Sequence, residues 1–206
     1  MERLKFLSDN EVQAMHEATL HIMSEVGIIW THKPSLDILL GAGCTLKGNR
    51  VCMSADLVMD CIAKANKRPK IRGRNGTVTE LGGGNLYFHN LGGARDVFDS
   101  RTGTRRVATD EDVINATRVL DALPNAHTIT PFFTPQDVPG ELMSLYMYRH
   151  CLPYTTKPVQ GPGIQFADEV KYAVEMAAVV GTPPEELTLS LSPVSPLTIH
   201  DPAAAA

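Results

Sequence analysis

The sequence predicts an α/β fold in which the second half of the chain forms a parallel sheet. Two observations carry this. After Pro124, strand-like and helix-like runs alternate: "AHTITPFF", "GELMSLYMYRHC", "YTTKPVQG", "FADEVKYAVEMAAVVG" and "LTLSLSPV". Three strands with two intervening helices describe consecutive βαβ units. Before Pro124 the texture differs, with capped helices first and then short runs broken by glycine pairs. The chain therefore divides into residues 1–123, a helical plus β-hairpin region, and residues 124–206, which open a sheet of β/α units.

Taken in order, "LSDNEVQAMHEATLHIMSEVGI" begins with a capping box, Ser8 as N-cap and Glu11 three residues on. Val12, Met15, Ile22, Met23 and Val26 follow at helical spacing, and Gly27 ends the helix. A second helix is expected from Pro34 to Leu40, a strand around Val51 to Met53, and a third helix capped by Ser54 that runs to about Asn66. From "KIRGRNGTVTELGGGNLYFHN" to "LGGARDVFDSRTGTRRVAT", Asn75-Gly76, Gly82 to Gly84, Gly92-Gly93 and Thr102-Gly103 mark tight turns between antiparallel strands. Thr109 opens another capping box, "TDED", ahead of a helix with Val113, Ala116, Thr117 and Leu120 on one face. The chain closes on "LSLSPVSPLTIHDPAAAA", with a cap at Asp201 and the opening of a helix that has almost no body. A third parallel strand without its covering helix leaves one face and one edge of the sheet unshielded. The expectation is a front part of a longer α/β protein, either an open sheet or a (β/α)8 barrel.

Bulk properties exclude several classes. Over 206 residues, 43% are hydrophobic and 20% charged, which is ordinary globular composition. A net charge of −4 gives no electrostatic reason to expect nucleic acid or an anionic membrane as partner. No apolar run approaches the roughly 20 residues that a spanning helix needs, and the N-terminus has no apolar signal core. The expected compartment is the cytoplasm. Cys44, Cys52, Cys61 and Cys151 show neither C-x-x-C nor zinc spacing and read as buried thiols. "HEATLH" fails the zincin pattern, because His16 and His21 stand about 140° apart around a helix. The glycines of "LGGGNLYFHNLGG" are followed by turns or strands, and they read as hairpin glycines, not as a phosphate cradle.

Chemistry in parallel α/β folds collects at the carboxyl ends of the strands. Those ends carry "FFTPQD", "TKPVQGPG" and "SPVSP". They hold no nucleophile paired with a base and no carboxylate dyad. They offer aromatic rings, amides, hydroxyls and one lysine, a set suited to holding a polar or cationic small molecule. Phe132, Gln136, Lys157, Gln160 and Ser192 are the candidate substrate-binding residues on this strand-end criterion.

In order along the chain, "LSDNEVQAMHEATLHIMSEVGI", "GAGCTLKGNRVCMSADLV", "VFDSRTGTRRVATDEDVINATRVLDALPN", "TTKPVQG" and "LSLSPVSPL" resemble the trimethylamine methyltransferase family, which includes glycine betaine:corrinoid protein methyltransferases. The resemblance implies a TIM (β/α)8 barrel about twice this long, of which residues 124–206 would be the first three β/α units. It implies an enzyme that moves a methyl group from a methylated amine to the cobalt of a corrinoid. The corrinoid (cobalamin) would arrive on a separate partner protein, none being bound by this chain, which has no D-x-H-x-x-G attachment motif. A homo-oligomer is implied at full length, and this length alone would be inactive. The alternative is a non-catalytic module that binds a quaternary amine.

Overall fold

The computed structural model describes residues 5–164, 166–190 and 194–205. It is a mixed α/β structure with several small sheets, and none of them closes into a barrel among the described residues. Contacts divide it into two compact units, one comprising the described residues up to Ala65 with those after 193, the other those from Asn66 to Ser190.

The first unit starts with α1, Asp9–His21, and both halves of its capping box form: Glu11 N donates to Ser8 Oγ (3.3 Å) and Ser8 N donates to Glu11 Oε2 (2.7 Å). The helix widens through a π-turn at Ile22–Val26 and stops at Gly27, φ +71°. Only glycine suits this position, since a Cβ would also lie 2.5 Å from Val51 O. β1 (Ile28–Trp30), α2 (Lys33–Gly41), β2 (Thr45–Lys47), β3 (Arg50–Cys52) and α3 (Ala55–Lys64) follow. β1 pairs antiparallel with β3 and parallel with the short strand Thr198–Ile199. The helix Asp201–Ala205 comes next, and its Asp201 carboxylate accepts from Thr31 Oγ1. Val51, Cys52 and Cys44 are buried, whereas Cys61 is exposed, so the expectation of buried thiols fails at that residue. The apolar stripe of α1 has the expected period but stays largely open, with Val12 53% and Met15 61% exposed.

In the second unit hairpins form at two of the expected turns, Asn75-Gly76 and Thr102-Gly103. β4 (Lys70–Arg72) pairs with β5 (Val78–Glu80), and β6 (Asp96–Phe98) with β7 (Arg105–Val107). α4 (Asp110–Ala122), α5 (Met143–Cys151), β8 (Gln160–Gly163), α6 (Ala167–Val179) and β9 (Thr188–Ser190) complete it. β8 and β9 are parallel, and a parallel bridge at Ile129–Val159 joins the 127–134 segment to them. That is the predicted strand-helix alternation. The sequence reading places the middle strand too early, however. Thr155 Oγ1 and Thr156 N both donate to Asp121 Oδ1, and Lys157 is tied to α4, so ladder pairing begins only at Val159. A second difference concerns "LYFHNLGG", read as antiparallel. It runs parallel beside 127–134, with bridges His89–Thr128 and Ala94–Phe133, and the Asn90 side chain bonds both the N–H and the C=O of Thr130.

The core of this unit gathers Ile129, Val159, Tyr148, Cys151, Leu152 and Ala173, with Leu120, Met176, Leu187 and Leu189 packed against it. Tyr148 is fully buried, and a Cβ on Gly161 would lie 1.3 Å from its hydroxyl oxygen. Glycine is required there by close approach, not by backbone angle. Arg106 donates two bonds to the Asp112 carboxylate (2.6 and 2.8 Å), and Thr109 N donates a third (2.9 Å), locking β7 to the start of α4.

Two outcomes test this packing. Gly161→Ala should cost about 3 kcal/mol or more in denaturant unfolding. Tyr148→Phe, which removes a buried hydroxyl without a hydrogen-bond partner among the described residues, should be neutral or stabilising by about 1 kcal/mol and should rescue part of the Gly161→Ala loss. The hydrogen bonds from Arg106 and Thr109 hold the Asp112 carboxyl at about 2, below the usual 3.8. Its contribution is therefore full above about pH 4 and is lost as pH falls through 2. Asp112→Asn should cost about 1–2 kcal/mol at pH 7 and much less near pH 2, measured by urea unfolding at both values.

Candidate functional site

The alternation of a β-strand decides which side chains can form a site. Ile129 and Val159 lie in the core under the helices, as do Leu187 and Leu189. Their neighbours in sequence, at 128, 130, 160 and 188, therefore face the opposite side of the strands, where Thr128 is buried and the other three are half-buried. The two ends of the strands also differ in chemistry.

At the amino ends, polar groups are committed to structure. Arg74, in the β4–β5 turn, donates to Leu152 O (2.9 Å), Thr155 O (2.5 Å) and Val180 O (3.3 Å). Lys157 also lies here, before β8. Its Nζ donates to Leu120 O (2.9 Å) and Leu123 O (2.6 Å), the last carbonyls of α4, where a cation complements the helix dipole.

At the carboxyl ends the groups are aromatic and amide. Phe132 and Phe133 pack edge to face, 4.8 Å between centroids, and both are partly exposed. Gln136 is anchored at both ends of its amide. Nε2 donates to Thr134 O (2.9 Å), and Oε1 accepts from Arg95 Nε (3.2 Å). Gln160 lies a layer below these groups as the first residue of β8, its backbone N donating to Ile129 O (2.8 Å), while its half-buried side chain makes no hydrogen bond among the described residues. Ser192 lies outside the described residues.

The fold thus sets Phe132 and Gln160 on neighbouring strands, joins Gln136 to the loop after Phe133, and places Lys157 at the other end of the strands. Arg95, which holds Gln136, was missed in the sequence. No local motif signals it, because the contact spans 41 residues. No group of three or more His, Cys, Asp or Glu able to hold a metal ion occurs among the described residues, and no described helix is long and apolar enough to cross a membrane.

Comparison with known proteins adds chemistry to this geometry. A family model for trimethylamine methyltransferase matches residues 1–205. The chain is 26% identical over 182 residues to the glycine betaine methyltransferase of Desulfitobacterium hafniense strain Y51, covering 87% of this chain and 38% of that protein. It is 28% identical over 201 residues to the trimethylamine methyltransferase of Desulfitobacterium hafniense strain DSM 10664 / DCB-2, covering 93% and 40%. It is 26% identical over 162 residues to the proline betaine:corrinoid methyltransferase of Eubacterium limosum, covering 76% and 33%. The chain spans about two fifths or less of the length of these relatives.

The geometry at the amino ends makes a prediction for Lys157. Lys157→Met strips two α4 carbonyls of their donor and should lower stability by about 1–2 kcal/mol, whereas Lys157→Arg should retain part of it. Urea midpoints of the two variants check this.

Proposed function

The chain belongs to the trimethylamine methyltransferase family, and from that premise we propose that the protein moves a methyl group from a tertiary or quaternary methylated amine to the cobalt of a corrinoid carried by a separate protein. The observation that carries this reading is the family match over residues 1–205. It is supported by relatives named for trimethylamine, glycine betaine and proline betaine, one of them also for a corrinoid.

In this reading the 127–134 segment, β8 and β9 are consecutive strands of a (β/α)8 barrel, residues 124–206 supplying its first three β/α units and residues 1–123 preceding them. The site opens at the carboxyl ends. Phe132, Gln136, Gln160 and Ser192 are its proposed lining, with the Phe132–Phe133 pair best suited to the task, whereas Lys157, held by carbonyls at the end of α4, stands apart from it. An aromatic face attracts a methylammonium through its quadrupole, without a counter-ion that would hold the amine too tightly. Aromatic walls also exclude water while the methyl group is held in line.

The corrinoid supplies a strongly nucleophilic metal as methyl acceptor. The described strand-end groups, phenyl rings and an anchored amide, do not fit a cobalt, whose protein ligands are drawn from groups such as His, Cys or Met. The cofactor is therefore assigned to the partner, and this chain's part is to bind and orient the amine.

The test is methyl transfer itself. The purified full-length gene product is incubated with a corrinoid protein reduced to Co(I) and, in turn, with trimethylamine, glycine betaine and proline betaine, and the demethylated amine is quantified by mass spectrometry. Dimethylamine, dimethylglycine or N-methylproline should accumulate with one donor, and no product with any donor would sink the reading. Calorimetric binding of a quaternary amine without transfer would instead favour a non-catalytic binding module.

A further inference from the structure

We propose that Thr130, Gln160 and Thr188 form one row of hydrogen-bond donors that receives the carboxylate of a zwitterionic methylated amine, whose methylammonium end lies one layer higher against Phe132. The inference deepens the methyl-transfer reading and rests on it for the nature of the amine.

The row follows from register. The parallel bridge Ile129–Val159 sets Thr130 beside Gln160, and Gln160 pairs directly with Thr188. The three residues are thus lateral neighbours on three adjacent strands, about 4.8 Å apart from strand to strand. All three face away from the core cluster, because the residues flanking them, Ile129, Val159, Leu187 and Leu189, belong to it or pack against it.

The row is also uncommitted. Each of the three side chains is half-buried, and none makes a hydrogen bond among the described residues. Gln136 and Lys157 differ, since both have theirs satisfied by backbone carbonyls. Half-buried donors with no internal partner are available to a ligand at little cost in protein hydrogen bonds. The strand residues 128–134, 158–164 and 187–190 contain no Asp or Glu, so nothing in the row itself repels an anion. They contain no Lys or Arg either, and a full positive charge there would repel the ammonium of the same substrate. Neutral hydroxyl and amide donors can bind a carboxylate through charge-assisted bonds and leave the ammonium undisturbed.

The upper layer supplies the second half of the match. Phe132 is two residues beyond Thr130, about 6.6 Å further along an extended chain, and its ring packs with that of Phe133. A molecule with a carboxylate and a methylammonium separated by one or a few carbons would reach both layers. An amine with no carboxylate would leave the lower row unfilled.

The experiment is an NMR titration of the isotopically labelled 206-residue chain with glycine betaine, acetate and tetramethylammonium. The expected result is that glycine betaine and acetate shift the Gln160 side-chain amide and the Thr130 and Thr188 methyl signals, while tetramethylammonium leaves them in place. Thr130→Val, Gln160→Met and Thr188→Val should each weaken glycine betaine binding by about tenfold or more, the loss of one charge-assisted hydrogen bond. A response to tetramethylammonium equal to that to glycine betaine, or no response of the row to either carboxylate, would overturn the proposal, and both are read on the unmodified chain even if a variant fails to fold. Methyl transfer from trimethylamine with a silent row would fell this inference and leave the methyltransferase standing. A responsive row with no transfer from any amine would do the reverse.

Discussion

The contact on which the second unit depends is the seating of the Tyr148 ring against a strand that has no side chain at Gly161. The hydroxyl stands where a Cβ would be, so α5 can approach β8 more closely than any other residue at 161 would allow. Burial pushes the phenol far above its ordinary ionisation range, which makes it a packing group with no acid-base role. The ladder is irregular at the same place, the four residues from Gln160 to Gly163 standing opposite the three from Thr188 to Ser190. Bulges of this kind redirect a strand near its end. Here the irregularity begins immediately after Gln160, the side chain that the proposed binding row uses.

From this packed centre the two ends of the strands diverge. The amino ends are closed by hydrogen bonds from Arg74 and Lys157 to main-chain carbonyls and by Asp121 holding Thr155 and Thr156. Charged groups tied in this way stabilise the fold and are unavailable for a ligand. The carboxyl ends expose an aromatic pair, and a layer below it an amide and two hydroxyls are unpaired among the described residues. That asymmetry is what a parallel sheet is expected to show when its function sits at one end.

The methylated amines named for the relatives pose a particular recognition problem. A quaternary ammonium can donate no hydrogen bond, so orientation must come from ring faces or from another part of the molecule. The proposed arrangement divides the task between two layers, aromatic above and donor-rich below.

Much of this was legible in the sequence because it is local. Capping boxes at Ser8 and Thr109, the hairpin turn at Asn75-Gly76 and the helical period of α4 to α6 depend on groups within a few residues of one another, and they form as expected. The aromatic and amide character of the carboxyl ends was likewise legible from "FFTPQD" and "PVQG". Tertiary structure decided what local pattern cannot encode. The start of β8 was set by Asp121, more than thirty residues away, and the commitment of Lys157 by the end of α4. The parallel course of "LYFHNLGG" is held by backbone bonds from His127 N to Phe88 O and from Ala94 N to Phe132 O, with Asn90 pairing Thr130 between them. The period of a strand shows that Thr130, Gln160 and Thr188 each lie on one face of it, but only interstrand register can make them neighbours. Composition and spacing therefore determined which chemistry was present, and long-range pairing decided which groups were left free to use it.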